Sequence, residues 1–255
     1  MGRSEARYPF PWDLFGALAL ALPFGYRSLA HDAVAMTERI RPAARVQGLD
    51  CVPENGPVVV MANHYQRRGL WIAWPAAVIT SVFALRRGQE PPVHWLVTGG
   101  LRLNQTAGKG PEVPGSGRIF RAVARAYGFT ALPLSGNRAR ARALREWLRH
   151  ADRGKAIGMF PEGLGGSSAG LVQPETGFAG LYRLLATRRI PVLPTGICEI
   201  NGVLHVTFGQ ALRATSSPDD RSGETVMRAI AALLPEERRG AYAAEKRMPH
   251  DVPLG

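Results

Sequence analysis

The sequence predicts an α/β fold: a mixed, largely parallel sheet flanked by helices, with a helical segment at the N-terminus. Two observations predict it. Short, continuous apolar runs bounded by turn residues recur along the chain, Val58 to Ala62 after Asn55-Gly56-Pro57 being the clearest. Between them lie segments whose apolar residues repeat at helical spacing, such as Leu144, Trp147, Leu148 and Ala151. Strands alternating with amphipathic helices build a sheet with helices packed on it.

In order, Phe10 to Phe24 is an apolar run containing Asp13 and framed by Pro9, Pro11 and Pro23. It lacks the basic lead and small-residue cleavage site of a signal peptide. It reads either as an interfacial helix with Trp12 and Phe15 at headgroup depth or as a helix packed on the core. Val58 to Ala62 is the first strand. Residues 71–85 carry no charge and form a helix that is either buried, membrane-facing or lining an acyl-chain tunnel; Trp71 and Trp74 suit each. His94 to Val97 is a second strand, and the Gly- and Pro-rich stretch Gly99 to Gly117 is a loop. A helix over Arg118 to Tyr127, a strand over Phe129 to Leu134 and the helix through Leu144 to Ala151 follow. Gly154 ends that helix, and Ala156 to Phe160 is the fourth strand. A helix around Phe178, Leu181, Tyr182 and Leu185 leads to a strand over Val192 to Ile197. Val203 to Phe208 alternates as a half-exposed strand does, and Thr225 to Leu234 is a last helix. The expected organisation is an N-terminal segment over 1–44, one α/β domain over 45–240 and a loose polar tail over 241–255.

The formal charge of +12 and pI near 10.7 favour anionic partners, a membrane surface among them. Arg138, Arg140, Arg142, Arg145 and Arg149 form either a solvated helix face or an anion surface. No RNA-recognition pattern or helix-turn-helix is present, so nucleic acid is not an expected partner. Cys51 and Cys198 fit no disulfide framework and no metal-ligand spacing, which points to a reducing compartment and no metal. No segment reaches the roughly 18–20 apolar residues that span a bilayer.

Ligands of such sheets sit beyond the carboxyl ends of the strands. The polar residues directly after buried strands are therefore the candidates: Asn63-His64 after the first, and Phe160-Pro161-Glu162-Gly163 closing the fourth. A histidine of ordinary pKa, about 6.5, removes a proton from an alcohol at neutral pH.

On these residues the chain resembles the PlsC-like glycerolipid acyltransferases. Val46 to His64 resembles the approach to their Asn-His signature, and residues 154–163 (GKAIGMFPEG) resemble their Phe-Pro-Glu-Gly signature. Ile190 to Pro194 is similar to a further block, and Val206 to Gly209 to the family's late strand; the resemblance covers about residues 45–240. It implies that His64 is the general base taking the acceptor's hydroxyl proton as its oxygen attacks an acyl thioester. It implies an acceptor pocket around Asn63, Phe160, Pro161, Glu162, Gly163 and Pro194. The donor would be acyl-CoA or an acyl-carrier protein, with no further cofactor. The acceptor would be a lipid or glycolipid hydroxyl at the cytoplasmic face of the cell membrane.

Three departures bear on this. Gly69 stands where the family has the Asp that follows its histidine, and no acidic residue occurs from Tyr65 to Gln89. In a triad, losing the orienting carboxylate costs on the order of 10⁴ in rate. Arg67 and Arg68 are no substitute, since a cation disfavours the protonated imidazole. Leu164-Gly165-Gly166 replaces the usual Thr-Arg or Ser-Arg, and Pro133 to Gly136 lacks the family's arginine, with Arg138 a loose substitute. Both arginines are associated with acceptor phosphate, which weakens the expectation of a phosphorylated acceptor. The departures leave two readings, an active divergent acyltransferase or a catalytically lapsed relative that binds lipid or acyl ligands. A competing nucleophile elbow at Gly166-Ser167-Ser168-Ala169-Gly170 lacks the strand-to-helix context, because Ser168 lies eight residues beyond Phe160.

Overall fold

The computed structural model describes residues 8–103, 110–163, 166–213 and 223–243. Along them run α1 (Trp12–Ala21), α2 (Leu29–Thr37), β1 (Arg45–Gln47), β2 (Val58–Ala62), α3 (Ala73–Arg87), β3 (His94–Thr98) and α4 (Ser116–Tyr127). Then come β4 (Thr130–Leu132), α5 (Asn137–Asp152), β5 (Ala156–Met159), α6 (Phe178–Arg188), β6 (Pro191–Ile200), β7 (Val203–Phe208), β8 (Leu212–Arg213) and α7 (Glu224–Ala232). The sheet has the order β1-β7-β6-β2-β5-β3-β4, with β8 paired to β6. All pairs are parallel except β6–β7 and β6–β8, so the sheet is mixed and largely parallel, as the sequence predicts.

Why β2 lies at the centre follows from its residues. Val58, Val59, Val60, Met61 and Ala62 are all fully buried, which only a strand covered on both faces achieves. β7 sits farther out and shows the alternation expected of it: Leu204, Val206 and Phe208 are buried while His205 and Thr207 are half-buried. β6 outruns its expected span because it serves two partners. Its first half pairs with β2, and its second half turns antiparallel to β7 through the Asn201-Gly202 turn. β4 is shorter than expected, since Pro133 offers no N–H to continue the ladder.

The uncharged run 71–85 is a core helix. Trp74, Ala77, Val78, Ile79, Val82 and Phe83 of α3 are buried, and α2 packs along it. Only Trp71 before it and Leu85 near its end stand out to solvent. Two elements carry no periodic signal in the sequence and come from tertiary packing. One is α2, started by the Ser28 side chain accepting from the His31 N–H and by the Glu90 carboxylate accepting from the N–H groups of Leu29 and Ala30. The other is the three-residue edge strand β1.

In the expected Gly/Pro-rich loop, Leu101 and Leu103 pair with Val113 and Pro111 through the backbone; residues 104–109 lie outside the described residues. Of the expected polar tail, Tyr242 is buried and its hydroxyl donates to Gln173, while residues 244–255 lie outside the described residues.

Candidate functional site

The β2–β5 register brings the two candidate segments together. Met61 lies opposite Met159 on parallel neighbours, so both chains leave the sheet side by side and at the same end. Beyond that point the main-chain N–H of His64 donates to the Glu162 carboxylate at 3.3 Å. Both side chains are buried, His64 at 6% exposure and Glu162 at 2%.

Each flank of His64 is held. The side chain of Asn63 donates to the Ile197 carbonyl at 2.8 Å and accepts from the Ile197 N–H at 2.7 Å, extending the β2–β6 ladder by one rung. Both polar atoms of its amide are thereby engaged with backbone. Phe160 sets its ring edge-on to the imidazole, with centroids 5.4 Å apart, and stacks in parallel on Trp95 of β3 at 5.2 Å. Aromatic contacts of this kind are worth roughly 0.5–1.5 kcal/mol beyond their buried area.

Pro161 and Glu162 occupy the turn closed by the Gly163 N–H donating to the Phe160 carbonyl at 3.0 Å. Gly163 has φ +61°, a conformation that calls for glycine, while a Cβ there would displace the exposed Glu175 side chain. Pro194 lies inside β6 opposite Met61, buried, with its carbonyl accepting from the Gly209 N–H.

The loop after this turn covers the histidine. A Cβ on Gly166 would come within 2.1 Å of the His64 carbonyl oxygen and 2.3 Å of the His64 Cβ, and Gln66 donates to the Gly166 carbonyl at 3.2 Å. Leu164 and Gly165 lie outside the described residues. The serine-elbow alternative finds no support in the loop's shape. No helix begins near Ser168, the Ser167 hydroxyl accepts from the Ala169 N–H, and the Ser168 carbonyl accepts from Arg238.

Electrostatics follow from burial. Burial pushes the His64 imidazole down to about 4, so the ring is neutral through the physiological range. Its Nδ1 is buried and has no hydrogen-bond partner among the described residues. The arginines were expected to oppose protonation, but Arg67 is neutralised by Glu199, and desolvation is the dominant cause. Burial pushes the Glu162 carboxyl up to about 7, against the hydrogen bonds from the N–H groups of His64 and Val172. Gly69 has φ +83° in a tight turn made by reciprocal backbone bonds between Arg67 and Leu70. A Cβ there would meet only Arg67 Nη1, at 3.7 Å.

Two surface depressions lie elsewhere, one of about 340 Å³ beside Ala30, Val34 and Glu38 and one of about 300 Å³ beside Arg142, Glu146 and Arg149. Among the described residues no group of three or more His, Cys, Asp or Glu gathers to hold a metal. Gly166, Tyr65 and Glu199 escape a reading of the sequence, because only the closeness of distant segments gives them a role.

No protein-family model matches the chain, and no curated protein matches it by sequence. Among solved structures it is similar to the 1-acyl-sn-glycerophosphate (LPA) acyltransferase PlsC from Thermotoga maritima. That likeness has 16% sequence identity and a TM-score of 0.52, covering 86% of this chain and 81% of that one. The fold is thus that of an α/β acyltransferase of the PlsC kind.

Proposed function

We propose that this protein is an O-acyltransferase that moves an acyl chain from a thioester, acyl-CoA or acyl-carrier protein, to a hydroxyl of a lipid or glycolipid, with His64 as general base. The observation that carries the reading is the meeting of His64 and Glu162 beyond the carboxyl ends of two neighbouring parallel strands. The likeness to an LPA acyltransferase supports it.

In this reaction a ring nitrogen of neutral His64 takes the proton of the acceptor hydroxyl as its oxygen bonds to the thioester carbonyl carbon. The tetrahedral adduct collapses, the C–S bond breaks, and the imidazolium returns the proton to the departing thiolate. Asn63 and Glu162 fix the backbone on which the ring is mounted, and Phe160 sets its tilt. A base depressed to about 4 is always in the right protonation state at pH 7 but has little driving force for proton capture, so slow turnover is expected.

The reaction takes place at a membrane surface. Leu14 and Leu18 bury the inner side of α1, while Trp12, Leu20 and Phe24 are 76%, 77% and 86% exposed. Apolar side chains displayed this way on a short helix and the turn that follows it, with basic residues nearby, suit the cytoplasmic leaflet. Among the described residues no helix is long and apolar enough to cross it.

A second reading, a lapsed acyltransferase that binds lipid or acyl ligands, is favoured by one observation: among the described residues no carboxylate bonds to the ring, and Gly69 cannot supply one. The test is transfer of a labelled acyl chain from acyl-CoA, and from an acylated carrier protein, to a panel of lipid alcohols. Transfer lost in His64→Ala supports the enzyme. Equal, negligible turnover by both proteins, with acyl-CoA binding intact, supports the binding protein.

A further inference from the structure

We infer that Glu199 is a positioning residue for His64, acting through Tyr65 and Arg67 and drawing Tyr8 into the same lock. The inference rests on His64 being the working residue proposed above.

Glu199 sits on β6, paired with Leu204 of β7, two residues beyond the Ile197 that grips Asn63. Its Oε1 accepts from the Tyr8 hydroxyl at 2.8 Å and from Arg67 Nη2 at 2.7 Å. Its Oε2 accepts from Arg67 Nε at 2.5 Å and from the Tyr65 hydroxyl at 3.2 Å. Four donors use the acceptor capacity of one carboxylate. Two of the residues follow His64 by one and three positions, and the third, Tyr8, comes from the segment leading into α1. The guanidinium of Arg67 also lies 5.8 Å from the Tyr8 ring centroid, and that ring packs on Trp74 of α3.

β6 therefore holds the histidine from both sides: through Ile197 at the residue before it, and through Glu199 at the first and third residues after it. Where the family places an acid on the loop, this chain has Gly69 on an open turn and puts the acid on the sheet. Such an acid reaches the loop, not the ring. It sets the attitude of the imidazole through the backbone and leaves Nδ1 without a partner. It also neutralises Arg67, which would otherwise stand as a lone cation three residues from the base.

The test uses the full chain with Glu199→Gln, which keeps the shape of the side chain and removes its charge. Amide hydrogen exchange of residues 64–71 is expected to rise roughly ten- to hundredfold, the range for losing hydrogen bonds to a charged group. Exchange in α5 and β7 is expected to stay unchanged. The NMR signals of the His64 ring are expected to shift, and kcat to fall more than about tenfold with KM held, as for a misplaced base. Tyr8→Phe and Tyr65→Phe each remove one donor to the carboxylate and leave its charge and the Arg67 pair in place, remain foldable if Glu199→Gln does not, and are expected to give smaller changes of the same kind. Unchanged exchange and ring signals in all three variants, an even rise over the whole molecule, or a loosened loop with kcat intact would overturn the inference. If the wild type shows no His64-dependent transfer, the proposed reaction fails, yet loop exchange and the ring signals still decide whether Glu199 positions His64.

Discussion

The main-chain N–H of His64 donates to the carboxylate of Glu162, so the two buried ionisable groups of the site meet through backbone and not through the imidazole ring. Their protonation is thereby uncoupled from a direct ring–carboxylate bond. Desolvation moves them in opposite senses, the imidazole down to about 4 and the carboxyl up to about 7.

Glu162 makes stability fall as pH rises. Between its ordinary value of 4.5 and about 7 the folded chain holds a proton that the unfolded chain has released, so stability is lost across that window. Glu162→Gln removes this loss. Its stability relative to wild type, from urea denaturation, is expected to improve by up to about 3 kcal/mol between pH 4.5 and pH 8. A constant difference would contradict the burial account.

His64 acts in the other direction. The unfolded chain takes up a proton below 6.5 and the folded one only near 4, so its contribution is lost as pH falls through that range. The acid limb of a kcat/KM profile is accordingly expected near pH 4, with the ordinary histidine limb near 6.5 absent. A limb at 6.5 would mean that the base is less buried in the working enzyme.

Asn63 is expected to matter for stability before chemistry. Asn63→Ala leaves the buried N–H and carbonyl of Ile197 unpaired, at a cost of about 2–5 kcal/mol in the denaturation midpoint analysis. A loss below about 1 kcal/mol would mean that the clasp is replaced, for instance by water.

Gly166 and Gly69 are expected to respond in opposite ways. Gly166→Ala drives a methyl into His64 and is expected to cost about 1–3 kcal/mol and to abolish transfer. Gly69→Asp meets only the Arg67 guanidinium and is expected to cost about 1 kcal/mol for its positive φ. It is expected to leave the His64 titration, followed by NMR, where it was; an upward shift would show that the loop lets the restored acid reach the ring.

For α1 and the turn after it, Trp12→Glu combined with Phe24→Glu is expected to reduce sedimentation with anionic phospholipid vesicles at least tenfold while the melting temperature stays within a few degrees, since both side chains are exposed. Undiminished binding would move the membrane contact to another surface.

Much of the fold was legible because its elements announce themselves locally. Val58 to Ala62 admits no polar residue, so it had to be covered on both faces. Trp147, Leu148 and Ala151 fall on one stripe, so their helix had to pack by that stripe. The place of the site followed from the same logic, since polar residues directly after buried strands emerge at one edge. Tertiary structure alone decided the rest. Whether the uncharged run before Leu85 faced lipid or core depended on α2, an element too short and too weakly striped to declare itself. The partner of Arg67 lies 132 residues away on β6, and the glycine pressed on His64 lies in a loop whose composition reads as mere flexibility. Periodicity is a property of neighbours along the chain, whereas the environment that sets a buried imidazole's basicity is assembled from residues that meet only when the sheet is complete.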